Sequence, residues 1–370
     1  MGETVRLVLG GDVMTGRGID QILAEPGAPV LTERYVTDAR DYVRLAERVS
    51  GPIPRPVGPE YPWGDTLEVM DEVPSAVRLM NLETSVTQSE DRERGKAVLY
   101  RMSPANLPVL EVAGVHVWGL ANNHVLDHGR QGLLDTFGAL GAAGLTTAGA
   151  GRDAEVAWAP AVVPVPGGQG RVVVLCVAHP SSGVPPQWKA GRTRAGVALV
   201  DDLSRDSAEL ICGRLLAASS PGDVRVVSIH WGTNWGYDVP ADQRAFARRL
   251  VESGVHVVAG HSSHHARPIE VGGGGLVLHG CGDLVNDYEG IRGYEQFRGE
   301  LRVLYLVTLD AATGDLGALQ LVPFRTRRLR LERANAADSR WLADTLDAAS
   351  RDLGTRVELA RDGRLGVPVA

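Results

Sequence analysis

The sequence has 370 residues, of which 44% are hydrophobic and 22% are charged, which excludes a wholly disordered chain. Its formal net charge of −7 gives no general attraction to nucleic acid or to an anionic membrane, and we expect neither as a partner. Cys176, Cys212 and Cys281 are too few and too far apart for a disulfide framework, so they predict reduced thiols in a cytoplasmic protein. The first residues lack the features of a signal peptide, and no apolar run approaches the ~20 residues of a membrane anchor.

The first strand-like run leads to a carboxylate. Thr4–Gly10 is rich in β-branched residues and leucine and is followed by a second glycine, a pattern typical of a buried strand in an α/β sheet. Asp12 then lies at the edge of the sheet, where α/β proteins bind ligands. It is a candidate ligand, with a helix cap as the alternative. Arg17, a few residues later, is either an anion contact or a surface charge.

The segment from about residue 20 to residue 75 interrupts the alternation of strands and helices. Two helical pieces are predicted around residues 21–23 and 39–49, and they flank the proline-rich run GPIPRPVGPEYPWGD. A long loop of this kind is usually functional or an insertion. We expect it to cover or line a site, with Tyr61 and Trp63 in the wall. The alternative is that these aromatic residues attach the loop to the surface.

Two further strands carry polar residues at their ends. Ala76–Met80 precedes Asn81 and Glu83, whose side chains share one side of an extended chain. The charged run SEDRERGKA then indicates a solvated turn. Val115–Leu120 leads into ANNHVLDHG, where Asn123, His124 and Asp127 can coordinate metal or transfer protons. A helix with apolar residues from Leu133 to Leu140 follows this loop.

The second half of the chain contains two strands that end in histidine. Val224–Ile229 precedes His230 and Trp231, and the apolar run from Val255 precedes the group His261, His264 and His265. A hairpin turn at 272–275 leads on to an acidic loop that contains Asp283. Other strands and helices are predicted at Arg171–Ala178, Ser204–Ala218, Leu301–Leu309, Leu316–Val322 and Ser339–Ala349. No linker or fixed repeat is visible, so we interpret residues 1–370 as one domain.

The candidate ligands follow five separate apolar runs, which coincidence explains poorly. They are Asp12, Glu83, Asn123, His124, His230, His261 and His264. Carboxylate and amide oxygens mixed with imidazole nitrogens suit Zn²⁺, Mn²⁺ or Fe²⁺ better than Ca²⁺. Six such ligands besides His124 exceed the needs of one tetrahedral zinc, whereas two ions ~3.5–4 Å apart would use them all. Candidate substrate-binding residues are Arg17, Asn81, Trp231, His265 and Asp283.

Six motifs carry a resemblance to a known family. In chain order they are GDVMTGR, NLETSVT, ANNHVLDHG, HWGTNWGY, GHSSHHARPIE and CGDLVNDYEG. Together they resemble the CapA family of bacterial poly-γ-glutamate capsule proteins, which is related to the calcineurin-like metallophosphoesterases. The match runs from about Val5 to about Val322. It implies an α/β fold built as a four-layer αββα sandwich. Separately, we expect a proline-rich insertion at about 20–75 and a C-terminal helical extension at about 335–370.

The resemblance also implies roles for individual residues. Asp12 would bind a first metal ion, Glu83 would bridge it to a second, and Asn123 with His230 would bind that second ion. The remaining ligands would be His261 and His264. The general acid would be His124, oriented by Asp127.

Two features depart from the pattern of these families. Met14 stands where phosphoesterases have a histidine ligand, and Ser262 and Ser263 interrupt the usual histidine motif. One ion, or two of unequal affinity, are the alternatives.

The predicted function is a divalent-metal-dependent hydrolase with two ions of Mn, Fe or Zn. Activated water would attack a phosphoester or a γ-glutamyl-type amide, in a small molecule or a glutamate polymer. A second hypothesis is a non-hydrolytic partner in amide assembly of poly-γ-glutamate or a natural product. A third is a metal-dependent binding protein for an anionic polymer, which Met14 and Ser262 favour and the pair His124 and Asp127 opposes.

Overall fold

The computed structural model describes residues 3–168 and 170–369. The strands are β1 (Thr4–Val13), β2 (Val77–Leu82), β3 (Ser85–Val86), β4 (Arg101–Met102), β5 (Val117–Gly119), β6 (Thr147–Ala148), β7 (Ala150–Gly151), β8 (Ala161–Pro164), β9 (Arg171–Ala178), β10 (Gly196–Val197), β11 (Val224–His230), β12 (Val257–His261), β13 (Ile269–Gly272), β14 (Gly275–Leu278), β15 (Asp283–Val285), β16 (Leu301–Asp310), β17 (Leu316–Arg327), β18 (Arg330–Arg333), β19 (Glu358–Leu359) and β20 (Leu365–Val367). The α-helices are α1 (Arg40–Ser50), α2 (Thr66–Asp71), α3 (Pro108–Glu111), α4 (Gly129–Ala142), α5 (Ala154–Ala157), α6 (Arg205–Ala218), α7 (Ala241–Glu252) and α8 (Ala336–Ser350).

The larger sheet is centred on β1. Its strand order is β19-β20-β17-β16-β1-β2-β5-β6, and β1 runs parallel to β2 and antiparallel to β16. Residues 7–13 of β1 are all buried, as the continuous apolar run predicts for a central strand. Beyond its bulge, β1 also pairs in parallel with β15, which sets Asp12 beside Asp283.

The second sheet lies against the first and has helices on its far side. Its order is β13-β14-β12-β11-β9-β8. Along β9, Val172, Val174 and Cys176 belong to the core shared with the larger sheet, while Leu175 and Val177 pack in a separate core with α6 and α7. This alternation gives the sheet one face toward its partner and one toward the helices.

Helices also cover the larger sheet. The helices α1, α2, α3 and α8 add buried apolar side chains to its core. The expected four-layer αββα sandwich is therefore confirmed. Within the described residues, none of the helices combines the length and the apolar character that a bilayer span requires.

The aromatic residues of the 20–75 segment attach it to the sandwich. Trp63 is fully buried, donates from Nε1 to the Val109 carbonyl at 2.6 Å and packs against Trp118. Tyr61 donates its hydroxyl to the Arg328 carbonyl at 3.0 Å. These contacts fit the alternative in which Tyr61 and Trp63 attach the segment to the rest of the protein, and they do not fit a position in the wall of a site.

The C-terminal extension is helical only in its first half. Helix α8 ends at Ser350, and the chain then forms β19 and β20, the latter antiparallel to β17. The helix predicted at Ser339–Ala349 lies within α8, and the rest of the extension contains strands. Leu365 and Val367 are buried on either side of the less buried Gly366, which is the period-two pattern of a half-buried strand. The division into one domain stays a prediction.

The carboxyl ends of five strands meet where the two sheets adjoin. From the larger sheet, β1, β2 and β5 run parallel to one another, and the chain after them carries the predicted oxygen ligands. From the second sheet, β11 and β12 end side by side, with His230 paired in register to His261. Parallel strands place their carboxyl ends at one edge, so the fold brings the predicted ligands to one place.

We predict that Gly11→Ala disrupts this junction. A Cβ at Gly11 would lie 1.8 Å from the Gly282 carbonyl oxygen, so the backbone has to shift. We expect a loss of at least ~3 kcal/mol in the free energy of unfolding, measured by urea denaturation. The matched control is Gly138→Ala in α4, where nothing lies within 4 Å of the added carbon and a gain of up to ~1 kcal/mol is expected. Equal unfolding midpoints for Gly11→Ala and the wild type would contradict the prediction.

Candidate metal centre

Three buried side chains offer ligand atoms at the junction of the sheets. These are Asp12, Glu83 and His230, whose ligand atoms all lie within 4.8 Å of one another. Asp12 and Glu83 come from the ends of strands in the larger sheet and His230 from the second sheet. Two carboxylates and an imidazole form a donor set that suits Mn²⁺, Fe²⁺ or Zn²⁺.

Asp12 is held by contacts from both sheets. Asn81 donates from Nδ2 to Oδ1 at 2.8 Å, and the Ser262 backbone N–H donates to Oδ2 at 3.0 Å. The ring nitrogen Nδ1 of His261 lies 3.1 Å from Oδ1. Burial raises the pKa of Asp12, but the hydrogen bond and charge of His261 outweigh it and hold the pKa below its ordinary value. Asp12 is therefore a carboxylate in the folded protein.

Ser262 aims its N–H at Asp12 from a left-handed backbone conformation, with φ of 91°. Such a conformation is uncommon for a residue other than glycine and costs ~1–3 kcal/mol. It persists next to the candidate ligands, where strain of this kind is often found.

Glu83 carries a buried oxygen without a protein partner. Its Oε1 lies 3.7 Å from Nε2 of His124 and 3.8 Å from Nε2 of His230, and its Oε2 has no hydrogen bond. Burial, together with the charges of Asp12 and Asp283, raises the pKa of Glu83 well above its ordinary value. A buried oxygen left unsatisfied is costly, and a bound cation relieves both the missing contact and the repulsion between carboxylates. The residues present therefore fit a divalent ion.

His230 is a neutral imidazole between two amides. Burial lowers its pKa to about 3, so the ring is uncharged at neutral pH, as a metal ligand has to be. Its Nε2 lies 3.1 Å from Oδ1 of Asn123, and its Nδ1 lies 3.4 Å from Nδ2 of Asn81. Asn81 also accepts at Oδ1 from Nδ2 of Asn122 at 3.1 Å. The sequence predicts Asn81 as a substrate contact, and its amide instead connects Asp12 to the loop after β5.

The two candidate metal ligands in the GHSSHH motif, His261 and His264, have different surroundings. His261 touches Asp12, as described above. His264 has Nδ1 at 3.0 Å from Oδ1 of Asp283 and Nε2 at 2.9 Å from Nδ2 of Asn234, so both ring nitrogens are engaged. Asp283 also accepts from Asn286 at 2.6 Å. The structure thus brings His261 to the group of three ligands and sets His264 with Asp283 beside it.

His124 and Asp127 form a buried pair next to Glu83. Nδ1 of His124 lies 2.6 Å from Oδ2 of Asp127, which also accepts from the Tyr100 backbone N–H at 2.7 Å. Burial lowers the pKa of His124 to about 4. The neutral ring therefore keeps its proton on Nδ1, toward Asp127, and turns Nε2 toward Glu83.

Lys96 is a site residue that the sequence interpretation misses. The run SEDRERGKA, which contains it, is mostly exposed, as expected for a solvated turn, but the Lys96 side chain is only 18% exposed. The ammonium of Lys96 contacts the Asn123 carbonyl and Oδ1 of Asp127, and it lies 3.0 Å from Nδ1 of His124. The one available signal is composition, because Lys96 and Lys189 are the two lysines in a chain with 38 basic residues.

Two other predicted substrate contacts lie away from the ligand group. Trp231 is fully buried on the helix side of the second sheet, where it packs with Phe246 and donates from Nε1 to the His279 carbonyl at 3.2 Å. His265 accepts at Nε2 from the Gly236 N–H at 3.0 Å, while its Nδ1 lies 3.0 Å from the Ala266 carbonyl. These contacts give neither side chain a free polar atom toward the site.

A cleft of about 1260 Å³ lies beside the ring neighbours of His264. Trp235 and Tyr288 form part of its lining, and their rings lie 5.3 and 5.0 Å from that of His264. The charged lining residues are six arginines and five acidic residues, namely Arg48, Arg292, Arg302, Arg325, Arg327, Arg333, Glu289, Glu295, Glu300, Glu332 and Asp338. The cleft is thus slightly basic in a chain whose net charge is −7.

Comparison with known proteins agrees with the motifs. A family model described as the bacterial capsule synthesis protein PGA_cap matches residues 6–288. The chain belongs to this family. The resemblance to CapA proteins seen in the sequence is thereby confirmed.

The relatives of this chain include bacterial proteins. A probable polyglutamine synthesis accessory protein of Mycobacterium tuberculosis is 50% identical over 366 residues, which cover 99% of this chain and 96% of the relative. The PGA biosynthesis protein CapA of Bacillus subtilis is 25% identical over 296 residues, covering 80% of this chain and 66% of that protein. A solved 5'-nucleotidase precursor from Thermus thermophilus aligns at 18% identity with a TM-score of 0.47, over 95% of this chain and 59% of that one.

Arg17 lies in an ion-pair network instead of facing an open site. It donates from Nε and Nη2 to Asp287 at 3.1 and 2.5 Å and from Nη1 to Glu33 at 2.9 Å. Its guanidinium stacks on the rings of Tyr42 and Tyr100. The sequence leaves two roles for Arg17, an anion contact or a surface charge, and its burial excludes the surface charge. Its hydrogen bonds to Glu33 and Asp287 hold the start of the 20–75 segment to the loop after β15.

We predict that Arg17→Ala acts on stability. The change leaves the fully buried Asp287 without its cation, so we expect a loss of ~3–5 kcal/mol in the free energy of unfolding, measured by urea denaturation. Arg17→Lys is the control: it keeps the charge but loses the bidentate geometry, and we expect it to recover only part of the loss. An Arg17→Ala protein of wild-type stability that no longer binds substrate would support an anion contact instead.

Proposed function

We propose that this protein is a divalent-metal-dependent hydrolase that acts on a phosphoester or on a γ-glutamyl-type amide. The observation that carries the proposal is the buried, unpartnered Oε2 of Glu83 beside Asp12 and His230. An unpartnered carboxylate oxygen in such a place is poorly explained by a structural role alone. Asp12, Glu83 and His230 would hold an ion, with Asn123 and His261 as neighbouring ligands.

One ion has stronger support than two. The compact group of three ligands provides one site, and His264 with Asp283 is the candidate for a second one. His264 is already hydrogen-bonded through both nitrogens, so a second ion would have to displace Asn234. We therefore propose a first site of high affinity and a second of lower affinity, for Mn, Fe or Zn. Met14, fully buried, adds no ligand that these metals favour.

The protein groups around the centre would handle the protons of hydrolysis. A divalent ion, when bound, supplies Lewis-acid activation of water and of the substrate oxygen. Asp127 keeps the proton of His124 on Nδ1, which leaves Nε2 as an acceptor facing Glu83. From that position His124 can take a proton from the attacking water and return it to the leaving group.

The cleft next to His264 supports a large anionic substrate. Its volume of about 1260 Å³ exceeds the ~300–1,000 Å³ of a typical small-molecule pocket. Of the six arginines in its lining, Arg325, Arg327 and Arg333 pair with carboxylates of the protein and Arg302 is buried. The other two, Arg48 and Arg292, are suited to carboxylates or phosphates of a substrate. Since the relatives are named for polyglutamine synthesis and PGA biosynthesis, we propose a glutamate polymer as the first substrate to test. Of the five substrate contacts expected from the sequence, we carry Asp283 into this proposal because it borders this end of the site. The polar atoms of Arg17, Asn81, Trp231 and His265 take part in the internal contacts described above.

A second candidate function is that of a non-hydrolytic partner in polymer assembly, or a metal-dependent binding protein. The M. tuberculosis relative is named an accessory protein, which favours it. The buried His124 and Asp127 pair argues against it, because a binding protein needs no proton transfer. For location we propose the cytoplasm, which the free thiols of Cys176, Cys212 and Cys281 support.

The ligand assignment predicts metal content. Metal measured by plasma emission on protein purified without chelator or nickel should reach one to two equivalents in the wild type. Glu83→Gln and His230→Ala should each lose most of it because each removes one of three close ligands. His264→Ala should lose only a second, weaker equivalent. His116→Ala is the control, since His116 accepts a hydrogen bond from the Arg78 N–H away from the centre. Full metal content in both ligand variants would refute the assignment.

The proton-transfer assignment predicts a separation of binding from turnover. His124→Ala should keep its metal and lower kcat by ~10²–10⁴-fold, because proton transfer is lost while the ligands stay. Rates would be measured with bis(p-nitrophenyl) phosphate and with γ-glutamyl p-nitroanilide, which also distinguishes ester from amide. A metal-loaded wild type that turns over neither probe nor a glutamate polymer would favour the non-hydrolytic function.

A further inference from the structure

Lys96 has a set of contacts that the hydrolytic function proposed above does not yet use. Its side chain is 18% exposed, and its partner Asp127 is fully buried. The ammonium also contacts the Asn123 carbonyl and lies 5.3 Å from the centre of the Trp188 ring. One flexible side chain from the 88–98 loop thus connects a candidate metal ligand with the residue that orients His124.

The contacts define what Lys96 can do. His124 donates its Nδ1 proton to Oδ2 of Asp127. The Lys96 ammonium lies 3.0 Å from this Nδ1 but donates its hydrogen bonds to Oδ1 of Asp127 and to the Asn123 carbonyl. It therefore binds one oxygen of the carboxylate while His124 binds the other. This arrangement fixes the rotation of the carboxylate, and with it the tautomer and ring plane of His124.

We infer that Lys96 is a positioning residue, which holds Asp127 and the Asn123 backbone so that Nε2 of His124 faces the reacting atoms. The inference rests on the proposed hydrolytic function. It assigns to the 88–98 loop a part in the active site, where the sequence pattern indicated solvent. An ammonium suits the task because its donors diverge, whereas a guanidinium is planar and directs its donors in one plane.

A test that needs no catalysis uses the scarcity of lysine in this chain. Lys96 and Lys189 are its two lysines, and Lys189, 39% exposed and paired with Asp201, is a built-in reference. Reductive methylation with formaldehyde, followed by peptide mass spectrometry, should label Lys96 at least ten times more slowly than Lys189. Asp127→Asn keeps the shape but removes the charge, so it should speed labelling of Lys96 at least threefold and leave Lys189 unchanged.

Two results of the labelling would overturn the inference. Equal labelling of both lysines in the wild type would show that the contacts of Lys96 do not hold in solution. If Lys96 is labelled slowly and equally slowly in Asp127→Asn, burial alone would explain why Lys96 reacts slowly, and its contact with Asp127 would not. The wild-type measurement decides the first point even if the variant fails to fold.

The kinetic test asks whether Lys96 acts through Asp127. With bis(p-nitrophenyl) phosphate or γ-glutamyl p-nitroanilide, Lys96→Met should lower kcat at least tenfold, with KM and metal content within twofold of wild type. Lys96→Arg should restore part of the rate, and Lys189→Met should match the wild type. If Lys96 acts through Asp127, both changes remove the same orientation of His124. The kcat of the double variant Lys96→Met/Asp127→Asn should then be no lower than that of Asp127→Asn alone.

The outcomes separate the inference from the function on which it rests. Rate losses that multiply in the double variant, or full activity in Lys96→Met, would overturn the positioning role while hydrolysis stands. A wild type that holds metal but hydrolyses neither probe nor a glutamate polymer would instead remove the hydrolytic proposal. The labelling result would then still report whether Lys96 is held by Asp127.

Discussion

The burial of two carboxylates side by side is the constraint on which this structure depends. Asp12 and Glu83 are nearly inaccessible to solvent, close to each other and close to Asp283. Burial raises the pKa of Glu83, and the like charges of Asp12 and Asp283 raise it further because they repel strongly in a low-dielectric interior. Asp12 is satisfied by hydrogen bonds, but Glu83 keeps an oxygen without a partner. The protein maintains an arrangement that a cation would stabilise.

The two sheets contribute different chemistry to that arrangement. The larger sheet and its loops supply the oxygen donors, including Asn123, whereas the second sheet supplies the imidazoles of His230 and His261. His230 and His261 extend the inward-facing rows of β11 and β12, directly beyond side chains that pack against the larger sheet. Packing of the sheets therefore also sets the distance between oxygen and nitrogen donors. A change that shifts the sheets relative to each other would alter the centre without touching a ligand.

Much of the fold was predictable because short-range patterns mark the strands. The strand Arg171–Ala178 matches β9 residue for residue, and His230 and His261 were placed at strand ends by the apolar runs before them. The sequence does not predict contacts that join distant parts of the chain. Nothing near Lys96 in sequence indicates that it reaches Asp127, 31 residues later. The sequence predicts Trp231 as a substrate contact because it follows His230. Neighbours along an extended chain point to opposite faces, so Trp231 packs on the helix side of the sheet while His230 reaches the centre. Arg17 found its carboxylate in Asp287, 270 residues away.

The pairing of β1 has a consequence for the order in which the protein can be made. The first strand of the chain lies between β2 and β16, and beyond its bulge it pairs with β15, so part of its surroundings comes from residues 283–310. During synthesis at ~5–20 residues per second, β1 would wait about 15–60 s before its last neighbours emerge from the ribosome. Until then its apolar edge is open to other strands. A bound ion can therefore report completed folding, because the second sheet and the strands around Asp12 have to be in place before its ligands meet.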